Sequence, residues 1–276
     1  MKKKVLFILG VALGLFVSSH TLTYAAELSG IRRIKMDIAP DELVVSFLKL
    51  TSGEATLIKS EDETILVNTG SRSSRRELLK KLKVFNTKNI DDLVITNDSP
   101  SYTGNMSAIV KDYDVSKIYT SHIIAHHMCQ DERLPYCFLI NVWKKGTYYP
   151  LDALKTRVVS VSPSGSLNLL FTFGKTTLFH MGYFPSEEEQ THLEEHLRAT
   201  QILKVADYGE SELFDERFLR HIDPHVAVLY HHPDFRTNAD LISQIESHWV
   251  DIYKLHQVGT VTFFLNRDGY EVKSFD

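Results

Sequence analysis

Several familiar signatures are missing from this chain of 276 residues. It contains no glycine-rich phosphate loop, no dinucleotide-binding fingerprint and no serine nucleophile elbow, so the usual sequence marks of NTPases, nicotinamide enzymes and serine hydrolases are absent. Beyond the apolar run Val5 to Val17, no stretch approaches the roughly 20 apolar residues that a membrane-spanning helix needs. Nor does the chain carry an excess of positive charge, with 31 Lys and Arg against 35 Asp and Glu. A protein that coats nucleic acid by neutralising phosphates is usually basic, so the charge balance does not support nucleic acid as the partner. There is no internal repeat, low-complexity tract or linker long enough to divide domains, and the 43% hydrophobic content is enough for a sizeable core.

At the N-terminus, Lys2, Lys3 and Lys4 precede the 13-residue apolar run, and a small-residue stretch ends in Ala25 and Ala26. That pattern predicts a secretory signal peptide over residues 1–26, followed by a mature domain over 27–276 that is exported to the extracellular space or cell envelope. The mature net charge would be −7, from 28 basic and 35 acidic residues. Export in turn favours a disulfide between Cys129 and Cys137, the only two cysteines, around the loop Gln130 to Tyr136.

Apolar alternation and β-branched runs predict strands near Val44–Leu50, Thr56–Lys59, Thr64–Asn68 and Asp91–Thr96, with helices from about Ser74 to Val84 and Gly104 to Lys111. The second half predicts strands near Thr156–Ser162, Leu167–Phe173, Thr176–Met181, Gln201–Val205 and Val226–Tyr230. Helices are expected near Ser186–Ala199, Phe214–His221 and Asn238–Ser247, before a hairpin around Asn266–Gly269. This order suits two sheets packed face to face with helices outside.

Several blocks carry a resemblance. Leu93-Val-Ile-Thr-Asn-Asp-Ser-Pro-Ser-Tyr-Thr-Gly-Asn105 has the outline of the metallo-β-lactamase motif Thr-His-x-His-x-Asp-His-x-Gly-Gly. Val44 to Ile58, Thr64-Ile-Leu-Val-Asn-Thr-Gly70, Phe179-His-Met-Gly-Tyr183, Leu203-Lys-Val-Ala-Asp-Tyr-Gly209 and Asp251 to Gly269 follow in the order found in one branch of that superfamily. The branch is the soluble domain of ComEC-type competence proteins. The resemblance implies an α/β fold, a four-layer αββα sandwich, with site residues on loops at strand ends. It also implies that the metal stations are degenerate. Asn68, Asn97, Ser99, Ser101, Tyr102, Tyr183, Asp207 and Tyr208 stand where the branch has its His and Asp ligands or their neighbours. Hydroxyls and carboxamides are uncharged and poor donors to zinc or manganese.

Other residues offer alternatives to a lost site. His122, His126 and Cys129 would share one face of a helix, a spacing that permits a relocated metal and also arises by chance on helix surfaces. His231-His232-Pro233 reads as a strand-end turn, and His180 as a core histidine with a hydrogen-bond partner. Arg72, Arg75 and Arg76 follow a strand end at Gly70 and would aim at an anion bound there, or else lie on a solvated helix face. The reading that follows is an exported, non-catalytic pseudo-hydrolase without a cofactor, binding an anionic ligand or a protein partner. Its alternatives are a phosphodiesterase or nuclease with relocated zinc or manganese ligands, and a structural docking module.

Overall fold

The structure, a computed structural model, describes residues 38–130, 135–151, 153–198, 200–211 and 213–275, and a short antiparallel pairing of Tyr24–Ala25 with Arg33–Ile34. Apart from that pairing, the expected signal peptide lies outside the described residues.

Six strands form in the first half: β1 (Leu43–Phe47), β2 (Thr56–Lys59), β3 (Thr64–Val67), β4 (Asp92–Val94), β5 (Lys117–Ser121) and β6 (Ile140–Trp143). The second half supplies β7 (Tyr148–Leu151), β8 (Leu154–Val161), β9 (Leu167–Phe173), β10 (Thr176–Met181), β11 (Ile202–Lys204), β12 (Val226–Leu229) and β13 (Asp251–Lys254). The chain ends in a hairpin, β14 (Thr260–Leu265) and β15 (Tyr270–Phe275). One sheet has the order β15-β14-β1-β2-β3-β4-β5-β6, and the other β13-β12-β11-β10-β9-β8-β7.

Period-two alternation explains why the sheets stack. In β1, Leu43, Val45 and Phe47 point into the layer between the sheets, where Leu167, Leu169, Phe171 and Phe173 of β9 meet them. The opposite faces are also covered. Leu66, Leu93 and Ile95 pack under α1 (Arg75–Val84) and α3 (Met106–Asp112), with α2 (Pro100–Thr103) between those helices in the chain. On the second sheet, Phe179, Leu203 and Ala227 pack under α5 (Glu187–Leu197), α6 (Glu216–Ile222) and α7 (Ala239–Ser247). Two-sided burial makes these strands continuous apolar runs.

Each sheet has a parallel half, β3 with β4, β5 and β6 in one, and β10 with β11, β12 and β13 in the other. Parallel neighbours need helical crossovers, and their carboxyl ends therefore lie together on one edge of the sandwich. Residues 68, 97, 182–183, 207–208 and 231–232 all follow those ends.

Most predicted elements are present with shifted ends. The helix from Ser186 begins at Glu187, because Ser186 is its N-cap in a reciprocal capping box with Glu189. Strands β5, β6, β7 and β13 and the helices α4 (His122–Gln130) and α8 (Leu255–Val258) add to the predicted set. Cys129 and Cys137 are disulfide-bonded, with Cα atoms 5.6 Å apart.

Candidate functional site

At the end of β3, Asn68 adopts a left-handed backbone (φ 63°), a conformation that asparagine tolerates better than most residues. Its carboxamide closes a pair with Thr96: Nδ2 donates to Thr96 Oγ1 at 2.9 Å, and Oδ1 accepts from Thr96 N–H at 2.9 Å. The two strand ends are thereby tied together and the side chain has no freedom to serve a ligand. Asn97 bridges the sheets instead. Its Nδ2 donates to Gly182 O at 3.4 Å, while Oδ1 accepts from Ser99 N–H at 2.9 Å. Ser99 is in turn the N-cap residue of α2.

The loop before β2 is pressed against this segment. Gly53 has φ 85°, and a Cβ there would lie 2.3 Å from both Ser101 O and Ser71 N, so only glycine fits. This close approach lets Glu54 N–H donate to Ser101 O at 3.1 Å and sets the Glu54 side chain into the interior. There it pairs with Lys204 from the end of β11, the two side chains being 1% and 0% exposed. Lys204 Nζ also donates to Met181 O at 2.8 Å and lies 5.9 and 5.7 Å from the ring centres of Tyr102 and Tyr230. Burial pushes the Glu54 carboxyl up to about 7, and the Lys204 ammonium opposes that rise.

Above the ion pair sits a group of rings. Tyr102 and Tyr208 are both buried, with centroids 6.4 Å apart, and Tyr208 is stacked on Phe235 at 5.3 Å and packed against His232 at 5.2 Å. Asp207, Tyr208 and Gly209 all have positive φ, 50°, 56° and 72°. Two successive non-glycine residues in this region are a strained turn, held by Thr237 Oγ1 donating to Tyr208 O and by Asp207 Oδ2 accepting from Phe184 N–H and Ser211 Oγ. Burial, then the Glu54 charge, raises the phenols of both tyrosines, so each stays protonated.

His232 meets Ser101 with Nε2 3.3 Å from Ser101 Oγ, while its Nδ1 accepts from Asp234 N–H at 3.2 Å. That assigns the ring proton to Nε2 as the donor to serine. Burial holds the imidazole below its ordinary range, and the Asp234 carboxylate partly opposes this. Tyr183 is near the site by backbone only: its hydroxyl turns outward, 2.8 Å from Ser160 Oγ and 2.6 Å from Glu189 Oε1.

Several solved structures are similar to this architecture. A metallo-β-lactamase-fold protein, YhfI from Bacillus subtilis, aligns with a TM-score of 0.61 at 11% identity, over 84% of this chain and 100% of that one. Igni18, a metallo hydrolase from Ignicoccus hospitalis, aligns at 0.55 and 14% identity over 84% and 100%. A protein described as a metal-dependent hydrolase from Parabacteroides distasonis aligns at 0.54 and 13% identity over 77% and 92%. This chain has the metallo-β-lactamase fold. No family model matches it, and no curated protein matches it in sequence.

In a metallo-β-lactamase fold the strand-end edge is where a divalent ion would sit, and the residues on that edge here do not fit one. The positions that the resemblance marks as metal stations hold hydroxyls, carboxamides and one carboxylate, that of Asp207, which accepts from Phe184 N–H and Ser211 Oγ. Among the described residues no group of three or more His, Cys, Asp or Glu side chains has the geometry to hold a metal. Beside Tyr102 lies the Glu54–Lys204 pair, in which the carboxylate is already matched by an ammonium, a cation that repels a second one.

The alternative set also fails as drawn. His122 and His126 are exposed on α4, with His126 Nε2 2.9 Å from Gln130 Nε2, but Cys129 is spent in the disulfide. His180 is fully buried, with neither ring nitrogen hydrogen-bonded to a partner, in contrast to the expected paired histidine. It lies edge-on to Phe171, and burial together with the nearby Lys204 charge holds it well below its ordinary range and hence neutral. Arg72, Arg75 and Arg76 are exposed, and Arg75 is 3.8 Å from Asp112 on α3. Ser74, which precedes α1, donates its hydroxyl to Ser52 O at 2.8 Å.

The sequence reading missed Glu54, Lys204 and the role of His232. Glu54 and Lys204 both lie inside the blocks that carry the resemblance, and the available signal was a lone base within the apolar run Ile202 to Ala206, with nothing local to mark Glu54 as its partner.

Proposed function

We propose that this protein is an exported, non-catalytic relative of the ComEC-type soluble domain, a pseudo-hydrolase that works by binding an anionic ligand or a protein partner and carries no resident metal. The observation behind this reading is a packed group, Tyr102 and Tyr208 over the Lys204–Glu54 pair, at strand-end positions that the resemblance marks as metal stations. A metal-dependent hydrolase needs an ion to bring the pKa of bound water from 15.7 to about 7. Among the described residues, no group of three or more His, Cys, Asp or Glu side chains at this edge is placed to hold such an ion. Ser101 and His232 are the nearest approach to a nucleophile and base, 3.3 Å apart, and with His232 Nδ1 accepting from Asp234 N–H the assigned tautomer has Nε2 donating to the serine.

The place of the ComEC branch is supported by the way its blocks meet. The opening block delivers Glu54 and the Leu203 block delivers Lys204 to one ion pair, while the Asn97 and Asp207 blocks deliver the two tyrosines over it. Hydrolysis of bis(p-nitrophenyl) phosphate by the purified mature chain tests the reading. The expected rate equals the buffer background with and without added Mn²⁺ or Zn²⁺. Turnover above background that is lost in a Ser101→Ala or His232→Ala variant contradicts it.

A further inference from the structure

A second feature lies beside the filled site. Between α1, the end of β1, α8 and the last strand is a cavity of about 390 Å³. Its apolar wall is made by Leu50, Val84, Phe85 and Phe275, with the two phenylalanine rings meeting edge to face at 6.5 Å. The polar wall is basic. Lys49 and Lys80 line it, and neither has an ion-pair partner among the described residues. Lys81, His231 and His256 also line it, the two imidazoles with ring centroids 4.9 Å apart.

The one acid in the wall, Glu77, is turned to the loop, accepting from Thr51 N–H at 2.6 Å and from Thr51 Oγ1 at 2.5 Å. Its charge is thereby held at the edge, while the ammonium groups of Lys49 and Lys80 stay available. Burial first, then the positive fields of His231, Lys254 and Lys49, holds the His256 imidazole below its ordinary range. An anion entering the cavity would oppose those fields. The volume falls within the range of small-molecule sites, which combine an apolar wall with a few polar groups that set orientation.

We propose that this cavity binds a small amphiphilic anion, a phosphate or carboxylate carried on an aromatic or aliphatic body, with Lys49, Lys80 and His256 holding the charge and Phe85 and Phe275 the body. The proposal rests on the reading that the protein acts by binding, and it places that binding outside the strand-end site.

1-Naphthyl phosphate is the probe, titrated into the full mature chain by calorimetry, with 1-naphthol and inorganic phosphate as partial probes. The expected result is saturable binding of 1-naphthyl phosphate, at least about tenfold tighter than either partial probe. Binding should weaken about tenfold in Lys80→Ala and in Lys49→Ala, the scale of one charge-assisted contact. His256 should also titrate at higher pH in the complex than in the free protein, followed by its ring proton signals. Ser101→Ala should leave the affinity unchanged. Equal affinity for 1-naphthol, or lysine variants that bind as well as the parent while melting at the parent's temperature, overturns the proposal. Phosphodiester turnover with intact pocket binding would instead overturn the non-catalytic reading and leave the pocket standing.

Discussion

Replacing Lys204 by methionine removes the cation of a buried pair and keeps nearly all of the side chain's volume. Glu54, 1% exposed, is then left with the Tyr102 hydroxyl at 3.5 Å as its remaining side-chain contact. Breaking a buried ion pair from one side costs about 3–5 kcal/mol, because the remaining charge has lost its compensation. For a domain of this size each kcal/mol moves the melting temperature by about 2–4 °C, so a fall of about 6–20 °C is expected near neutral pH. The cost should shrink in acid. Burial already pushes the Glu54 carboxyl up to about 7, and without the ammonium it goes higher still, so the variant can protonate it and shed the charge. The double variant Lys204→Met, Glu54→Gln carries no buried charge and should recover most of the loss. Thermal unfolding followed by circular dichroism on all four members of the cycle reads this directly. A double variant that loses the sum of the two single losses would refute the reasoning, since the two groups would then not be acting as a pair.

Two further outcomes follow from the same packing. Tyr102→Ala should destabilise by about 3 kcal/mol, as expected for truncating a large side chain that is 3% exposed, and denaturant unfolding checks it. A loss below about 1 kcal/mol would mean an open cleft and not a filled one. The second outcome concerns pH. Glu54 has a folded-state pKa of about 7 against 4.5 for the free side chain, so the folded state holds more protons between those values. Its contribution is therefore fully present below the lower value and falls as pH rises through the upper one. Stability of the parent relative to Glu54→Gln should decline across that window and level off above it. A difference that stays flat with pH contradicts the assignment.

Much of the sandwich was legible because its central strands have unambiguous apolar patterns. Leu167–Phe173 and Thr176–Met181 form at their predicted bounds, and the Asn266–Gly269 turn closes the last hairpin, with Asn266 Oδ1 accepting from Asp268 and Gly269 N–H. Edge elements were harder to read. Ile140–Trp143 has two exposed residues of four, and Tyr148–Leu151 contains Pro150, which a sheet admits only at its edge. Neither carries the periodic signal of a strand covered on both faces. At the site, the order of the blocks marks the positions that the resemblance assigns as stations, but it does not give the direction of each side chain. Tyr183 occupies a station and yet sends its hydroxyl to Ser160 and to Glu189 of the α5 capping box. Lys204 and Glu54 pair only because β11 and the loop before β2 face each other across the sandwich, a relation with no local sequence mark.

Elemental analysis of the purified mature protein, after incubation with excess Zn²⁺ or Mn²⁺ and gel filtration, addresses the central claim most directly. The expected result is well under one equivalent of either metal, with no rise in melting temperature when the ion is added. About one equivalent of bound metal, accompanied by a higher melting temperature and abolished in His232→Ala, would contradict the account. It would mean that the tyrosine-filled edge still opens to hold an ion.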